Sequence, residues 1–73
     1  MTETNICGRR IRTARQRLGL TQHELAQRIQ VTKQNITQLE QGQRQPRPDR
    51  LRALAQHLGV SADYLLGLTE EGS

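Results

Sequence analysis

Cys7, Ile11, Ala14 and Leu18 recur at i, i+4, i+7 and i+11, with mainly arginines and small polar residues between them. That spacing lays one apolar stripe along an amphipathic helix, predicted to start near Thr4 or Asn5 and to end before Gly19. Thr21 with Glu24 three residues later is the signature of a capping box, and Leu25, Ala26 and Ile29 follow, which predicts a short second helix from Gln22 to Ile29. Thr32 is placed to cap a third helix whose inner face is Ile36 and Leu39 and which stops at Gly42. Leu51, Leu54, Ala55 and Leu58 repeat at i, i+3, i+4 and i+7, and Pro48 suits the first turn of that fourth helix because its missing N–H is not needed there. Ser61 caps a last short helix that carries Tyr64, Leu65 and Leu66 and ends at Gly67. Residues 1–4 and 69–73 are expected to fray, and no repeat or low-complexity linker interrupts the pattern.

Composition narrows the core. Among 73 residues there is no Phe, no Trp and one Tyr, so packing rests on Leu, Ile, Val and Ala, which suits helices better than a sheet. A chain of this length buries only about 60% of its unfolded surface, which points to one domain over 1–73 with a core from about residue 6 to 67, and argues against a multidomain enzyme. The single cysteine, Cys7, rules out an internal disulfide framework, and no apolar run is long enough for a signal sequence or a membrane span, so a cytoplasmic protein is expected. Without a staple or a metal, a domain this small often draws stability from a second copy.

Charge then suggests a partner. The formal charge is +4 and the pI about 10.6. All eleven Lys and Arg precede Val60, while Asp63, Glu70 and Glu71 follow it. A basic body with an acidic tail favours a polyanion, whether nucleic acid, anionic membrane or acidic protein, without choosing among them.

The second and third helices with their tight turn, over Gln22 to Gln41, form a helix-turn-helix, which sets a recognition helix in the DNA major groove. With Ile36 and Leu39 inward, a step of about 100° per residue turns Gln34, Gln38 and Gln41 outward, flanked by Asn35, Thr37 and Lys33. Gln or Asn can bond adenine through two hydrogen bonds, and Lys can bond guanine. A solvated Gln-rich surface is the bland alternative, since Gln is also a good helix former. Arg44 and Arg47 just beyond, and the free N–H groups at the start of the second helix, tilt the balance toward DNA.

The stretch RIRTARQRLGLTQHELAQRIQVTKQNITQLEQGQRQPRP followed by LRALAQHLGVSADYLLG resembles the lambdoid phage repressor and Cro family, the Xre-type helix-turn-helix regulators, from about Gly8 to Gly67. The resemblance implies an all-α, compact five-helix lambda-repressor-like domain with the helix-turn-helix at helices two and three. It implies base contacts from Lys33, Gln34, Asn35 and Gln38, and phosphate contacts from Thr21, Gln22, Gln41, Arg44 and Arg47. It further implies that Gln22 braces the amide at Gln34, and that Arg15 and Glu40 form a structural ion pair, with Arg15 a secondary candidate for facing DNA. A dimer contact is implied near the last helix, at Val60, Tyr64, Leu65 and Leu66. One departure is Gln30, where the family usually has Gly. A side chain held at positive φ costs about 1–2 kcal/mol, so either the turn is altered or the cost is carried elsewhere.

Other chemistry is weaker. His23 to Gln27 falls one residue short of the zinc-protease HExxH because Gln27 replaces the second His, so no metal is expected. His57 has no nucleophile beside it in sequence and suits the negative end of the fourth helix. Cys7 lies on the apolar stripe and reads as packed rather than reactive. Arg9, Arg10, Arg12, Arg15 and Arg17 are spread around the first helix instead of opposite an aromatic face, which disfavours a membrane; Arg12 and Arg17 read as solubilising. No enzyme and no cofactor are expected. The expected function is that of a transcriptional regulator, bacterial or phage-encoded and most simply a repressor. It would bind double-stranded operator DNA as a homodimer on a palindrome, under the control of concentration, a partner or an antirepressor. The rival is an adaptor or antitoxin using the same fold to dock a toxin, with Glu70 and Glu71 as a docking element; within the regulators, a phage repressor and a restriction-modification controller remain open.

Overall fold

Side-chain oxygens of Thr21, Thr32 and Ser61 accept the backbone N–H three residues on, at 3.0, 3.1 and 3.0 Å, and so fix three helix starts. At Thr21 the box is reciprocal: its own N–H donates to Glu24 Oε1 at 2.9 Å, a bond that holds the Glu24 carboxyl below its usual range. In this computed structural model, which describes residues 5–70, the chain order is α1 (Ile6–Arg17), α2 (Gln22–Arg28), α3 (Lys33–Glu40), α4 (Pro48–Leu58) and α5 (Ala62–Leu66). The described residues contain no strand. Pro48 opens α4 as the sequence predicts, with Arg47 as its N-cap.

Every helix contributes to one aliphatic core in which Ile11, Leu25, Ile36, Leu39, Leu54 and Leu65 are fully buried. The first stripe is buried through Cys7, Ile11 and Ala14, and burial pushes the Cys7 thiol pKa up, which disfavours the reactive thiolate. Leu18 is a correction. The helix ends at Arg17, so Leu18 sits on its C-cap at 50% exposure, and Leu20 enters the core in its place. The last helix needs a second correction. Leu65 has no exposed surface because it closes the monomer's own core, so it has none to offer a partner; Val60 and Tyr64 are half-buried and Leu66 is exposed.

Fraying also stops short of the expected point. Residues 1–4 and 71–73 lie outside the described residues, but Thr69 and Glu70 are strapped to α1 by Arg10. This buried guanidinium donates to the carbonyls of Tyr64 (2.7 Å) and Thr69 (2.6 Å), pairs with Glu70 (3.1 Å) and stacks 4.4 Å from the Tyr64 ring centre. Glu70 thus pairs with Arg10 of its own domain while its side chain stays 91% exposed, and Glu71 lies outside the described residues. Neither the burial of Arg10 nor this contact follows from local sequence pattern.

The turn between α2 and α3 keeps its shape without glycine. The N–H of Val31 bonds the Ala26 carbonyl (2.9 Å) and that of Gln30 bonds the Gln27 carbonyl (3.3 Å), a Schellman closure that holds Gln30 at φ 61°. The closure ending α3 has the same bonds, Gln43 to Gln38 and Gly42 to Leu39, but there the left-handed residue is Gly42. Gln30 therefore carries the strain itself. Gln30→Gly removes about 1–2 kcal/mol of strain and restores about 0.4–1 kcal/mol of unfolded-chain entropy. A small net stabilisation is expected, seen as a melting temperature a few degrees higher; a lower one would mean that the Gln30 side chain makes a compensating contact.

Candidate nucleic-acid interface

α2 and α3 pack through Leu25, Ala26, Ile36 and Leu39, and this leaves the opposite face of α3 to solvent. Lys33, Gln34 and Gln41 are exposed there, and Asn35 and Gln38 are partly exposed. The four predicted base readers thus share one helix over Lys33 to Gln38. Amides and a cation on a rigid helix give donors and acceptors suited to base edges.

α3 is held in place from behind. Arg15 Nε lies 2.6 Å from Glu40 Oε2, Arg15 NH2 lies 3.0 Å from Glu40 Oε1, and Arg15 NH1 donates to the Leu20 carbonyl at 2.8 Å. The predicted ion pair is present and bidentate, with side chains 11% and 3% exposed. Each guanidinium nitrogen of Arg15 already has a protein acceptor, and three of its five N–H donors are used within the domain, as its reading as structural first expects. A third donor reaches the same carboxylate, Gln22 Nε2 at 3.1 Å from Glu40 Oε1.

Gln22 departs from expectation. Its amide is engaged by Glu40 and by Thr37, whose Oγ1 lies 2.9 Å from Gln22 Oε1, and not by Gln34. The cause is geometric: Gln22 begins α2 and meets the α3 turn that carries Thr37 and Glu40, while Gln34 points to solvent. Helical spacing alone placed Thr37 among the outward residues and gave no sign of a partner 15 residues earlier.

A second stitch binds α1 to α3. Asn5 is the N-cap of α1 yet makes no side-chain capping bond; its Nδ2 donates to the Glu40 carbonyl at 3.0 Å. Gly8 permits this approach, since a Cβ there would collide with the Leu39 carbonyl oxygen and fall 2.8 Å from that of Glu40.

Beyond α3, exposed Arg44 and Arg47 lie in the loop before α4. With Asn35, Asp49 and Arg50 they line an open cavity of about 420 Å³. The structure brings Asn35 together with the two predicted phosphate arginines, while Lys33, Gln34 and Gln38 are not part of that lining. Arg50 is a further cation at this groove that the sequence reading did not single out. At the start of α2, Thr21 is exposed, but its N–H is committed to Glu24, so the hydroxyl proton is the donor it retains. Among the described residues no three His, Cys, Asp or Glu side chains cluster to hold a metal, and no helix is long and apolar enough to cross a membrane.

An all-helical domain with a polar recognition helix, a buried ion pair behind it and arginines at its end defines a helix-turn-helix DNA-binding protein of the Xre type. Its sequence agrees: residues 11–65 match the family model described as helix-turn-helix, and the chain belongs to that family. It is 40% identical over 63 residues to the HTH-type transcriptional regulator ImmR of Bacillus subtilis (strain 168), a match covering 86% of this chain and 50% of ImmR. The chain thus spans about half the length of the curated relatives it matches. Its fold superimposes on that of the P22 c2 repressor in complex with a synthetic operator, with TM-score 0.81 and 34% identity, covering 88% of this chain and 94% of the repressor. The same fold occurs in SinR in complex with DNA, with TM-score 0.77, 30% identity and coverage of 82% and 97%. The family and these neighbours are transcription regulators rather than enzymes.

Proposed function

We propose that this domain is a sequence-specific double-stranded DNA-binding repressor that lays α3 in the major groove, with Lys33, Gln34, Asn35 and Gln38 on base edges and Thr21, Gln22, Gln41, Arg44 and Arg47 on phosphates. The observation that carries this reading is the row of amides and a cation on α3, backed by the bidentate Arg15–Glu40 pair that fixes the helix against α1. The operator bound by the P22 c2 repressor and the DNA bound by SinR support it from a shared fold. Two copies related by a two-fold axis would meet palindromic half-sites about 34 Å apart. Val60, Tyr64 and Leu66 supply that contact, with Leu68, 73% exposed, beside them in sequence.

Selection of binding sites from a random duplex pool, followed by anisotropy across a salt series, tests the reading. The expected result is a palindromic motif bound at least about a thousandfold tighter than random DNA; weak binding with a steep salt slope and no motif refutes it. Sedimentation on that DNA is expected to show two protomers per site, and a single protomer refutes the dimer. Gln34→Ala is expected to cost about 1–3 kcal/mol on the selected site and relax one base position. Arg47→Ala is expected to weaken all sequences alike and lower the salt slope by about one unit per protomer. A Gln34 variant that returns an unchanged motif removes it from the readers.

A further inference from the structure

Gln22 is held at both ends of its amide, each end by a different residue of one turn of α3. Nε2 donates to Glu40 Oε1 at 3.1 Å, and Oε1 lies 2.9 Å from Thr37 Oγ1. The two ends of an amide have nearly the same shape, so its orientation is decided by what each end meets. The Glu40 carboxylate already takes two N–H groups from Arg15 and has no proton to offer, so an inverted amide would set Oε1 against a carboxylate oxygen. Nε2 must face Glu40. Thr37, whose hydroxyl can donate or accept, must then donate its one proton to Oε1. The Lys33 carbonyl, at 3.1 Å from Thr37 Oγ1, is the longer and competing acceptor.

The geometry points to Thr37 and Glu40 as positioning residues that fix the orientation of the Gln22 amide, so that its second Nε2 hydrogen is the donor presented to a DNA phosphate. This rests on the DNA-binding reading above and adds the residues that make the Gln22 contact possible. A phosphate oxygen only accepts, so an amide free to invert would meet it half the time with the wrong end. Locking the amide in the free protein removes that ordering cost from binding. It also commits the proton of Thr37, on the outward side of α3, to Gln22 instead of a base edge.

The test uses the full chain and a fluorescently labelled duplex carrying the selected site. Affinities are compared for wild type, Thr37→Val, Thr37→Ser, Thr37→Ala and Gln22→Ala, and for Thr37→Val and Thr37→Ala each combined with Gln22→Ala. Thr37→Val keeps the shape and loses the hydroxyl; Thr37→Ala loses the γ-methyl as well but is a better helix former, should the valine fold poorly. Both are expected to weaken binding about fivefold to tenfold, as for one lost hydrogen bond, while Thr37→Ser stays within about twofold. In the Gln22→Ala background the penalty for losing the hydroxyl is expected to vanish. In the free protein the side-chain amide signals of Gln22 should be resolved and restricted, and should move toward those of an exposed glutamine in Thr37→Val. Equal penalties with and without Gln22 would mean that Thr37 touches DNA itself and would overturn the inference, as would a serine variant as weak as the valine. Failure of the wild type to bind any duplex would overturn both this inference and the reading beneath it, a result distinct from binding with additive penalties.

Discussion

Gly8→Ala is expected to destabilise the domain by about 3 kcal/mol or more, the upper end of what overpacking does, although alanine is the better helix former by about 1 kcal/mol. Gly8 lies in α1 where that helix crosses the end of α3. An added Cβ would meet the Leu39 carbonyl, Asn5 Oδ1 at 2.5 Å and the Glu40 carbonyl at 2.8 Å. Two of the three are backbone atoms and cannot swing away as a side-chain tip does. The helices must separate, and separation breaks the bond from Asn5 Nδ2 to the Glu40 carbonyl and strains the pair between Arg15 and Glu40. For 73 residues, total stability is on the order of 4–11 kcal/mol, so a loss of about 3 kcal/mol removes roughly a quarter to three quarters of it. Gly19→Ala provides the control, because its Cβ would meet nothing within 4 Å and the only penalty is the positive φ of 72°. It is expected to cost about 1–2 kcal/mol. Urea denaturation of both variants checks the comparison; if the alanine at Gly8 costs no more than that at Gly19, the close crossing of α1 and α3 is wrong.

The contrast also shows what a sequence can and cannot reveal here. Helix positions were legible because their signals are local: Thr21 with Glu24, Thr32, Pro48 and Ser61 each act within one turn, and the apolar spacing of Leu51 to Leu58 is contained in one helix. The outward row Lys33 to Gln41 was legible for the same reason, since the inward positions Ile36 and Leu39 fix the phase. Gly8, Asn5 and Arg10 were not. Their partners are carbonyl oxygens 31 to 59 residues away, which carry no side-chain signature, and for Arg10 also the Glu70 carboxylate 60 residues away. Leu18 and Leu65 misled in opposite directions, because an apolar residue at a helix end can fall on either side of the surface. The ion pair between Arg15 and Glu40 was legible through family resemblance, whereas nothing in the sequence pointed to Gln22 joining it at Glu40 or to Thr37 holding the other end of Gln22.

Glu40→Ala is expected to cost about 3–5 kcal/mol, because it leaves the Arg15 guanidinium buried without its carboxylate. Arg15→Met should cost a similar amount by stranding the carboxylate. Combined as Arg15→Met with Glu40→Leu, the two changes remove both charges and fill the site with apolar volume. Desolvation no longer has to be offset, so the double variant is expected to recover most of the stability lost by either single one. DNA affinity should not recover with it. Gln22 Nε2 would have lost its acceptor at Glu40, and α3 its bidentate anchor on α1. Urea denaturation and anisotropy on the same four proteins separate these outcomes. A double variant as unstable as the singles would mean that the pair contributes net stability and not only orientation. A double variant that is stable and binds like wild type would mean that packing alone orients α3, which would leave the buried charges without a role in recognition.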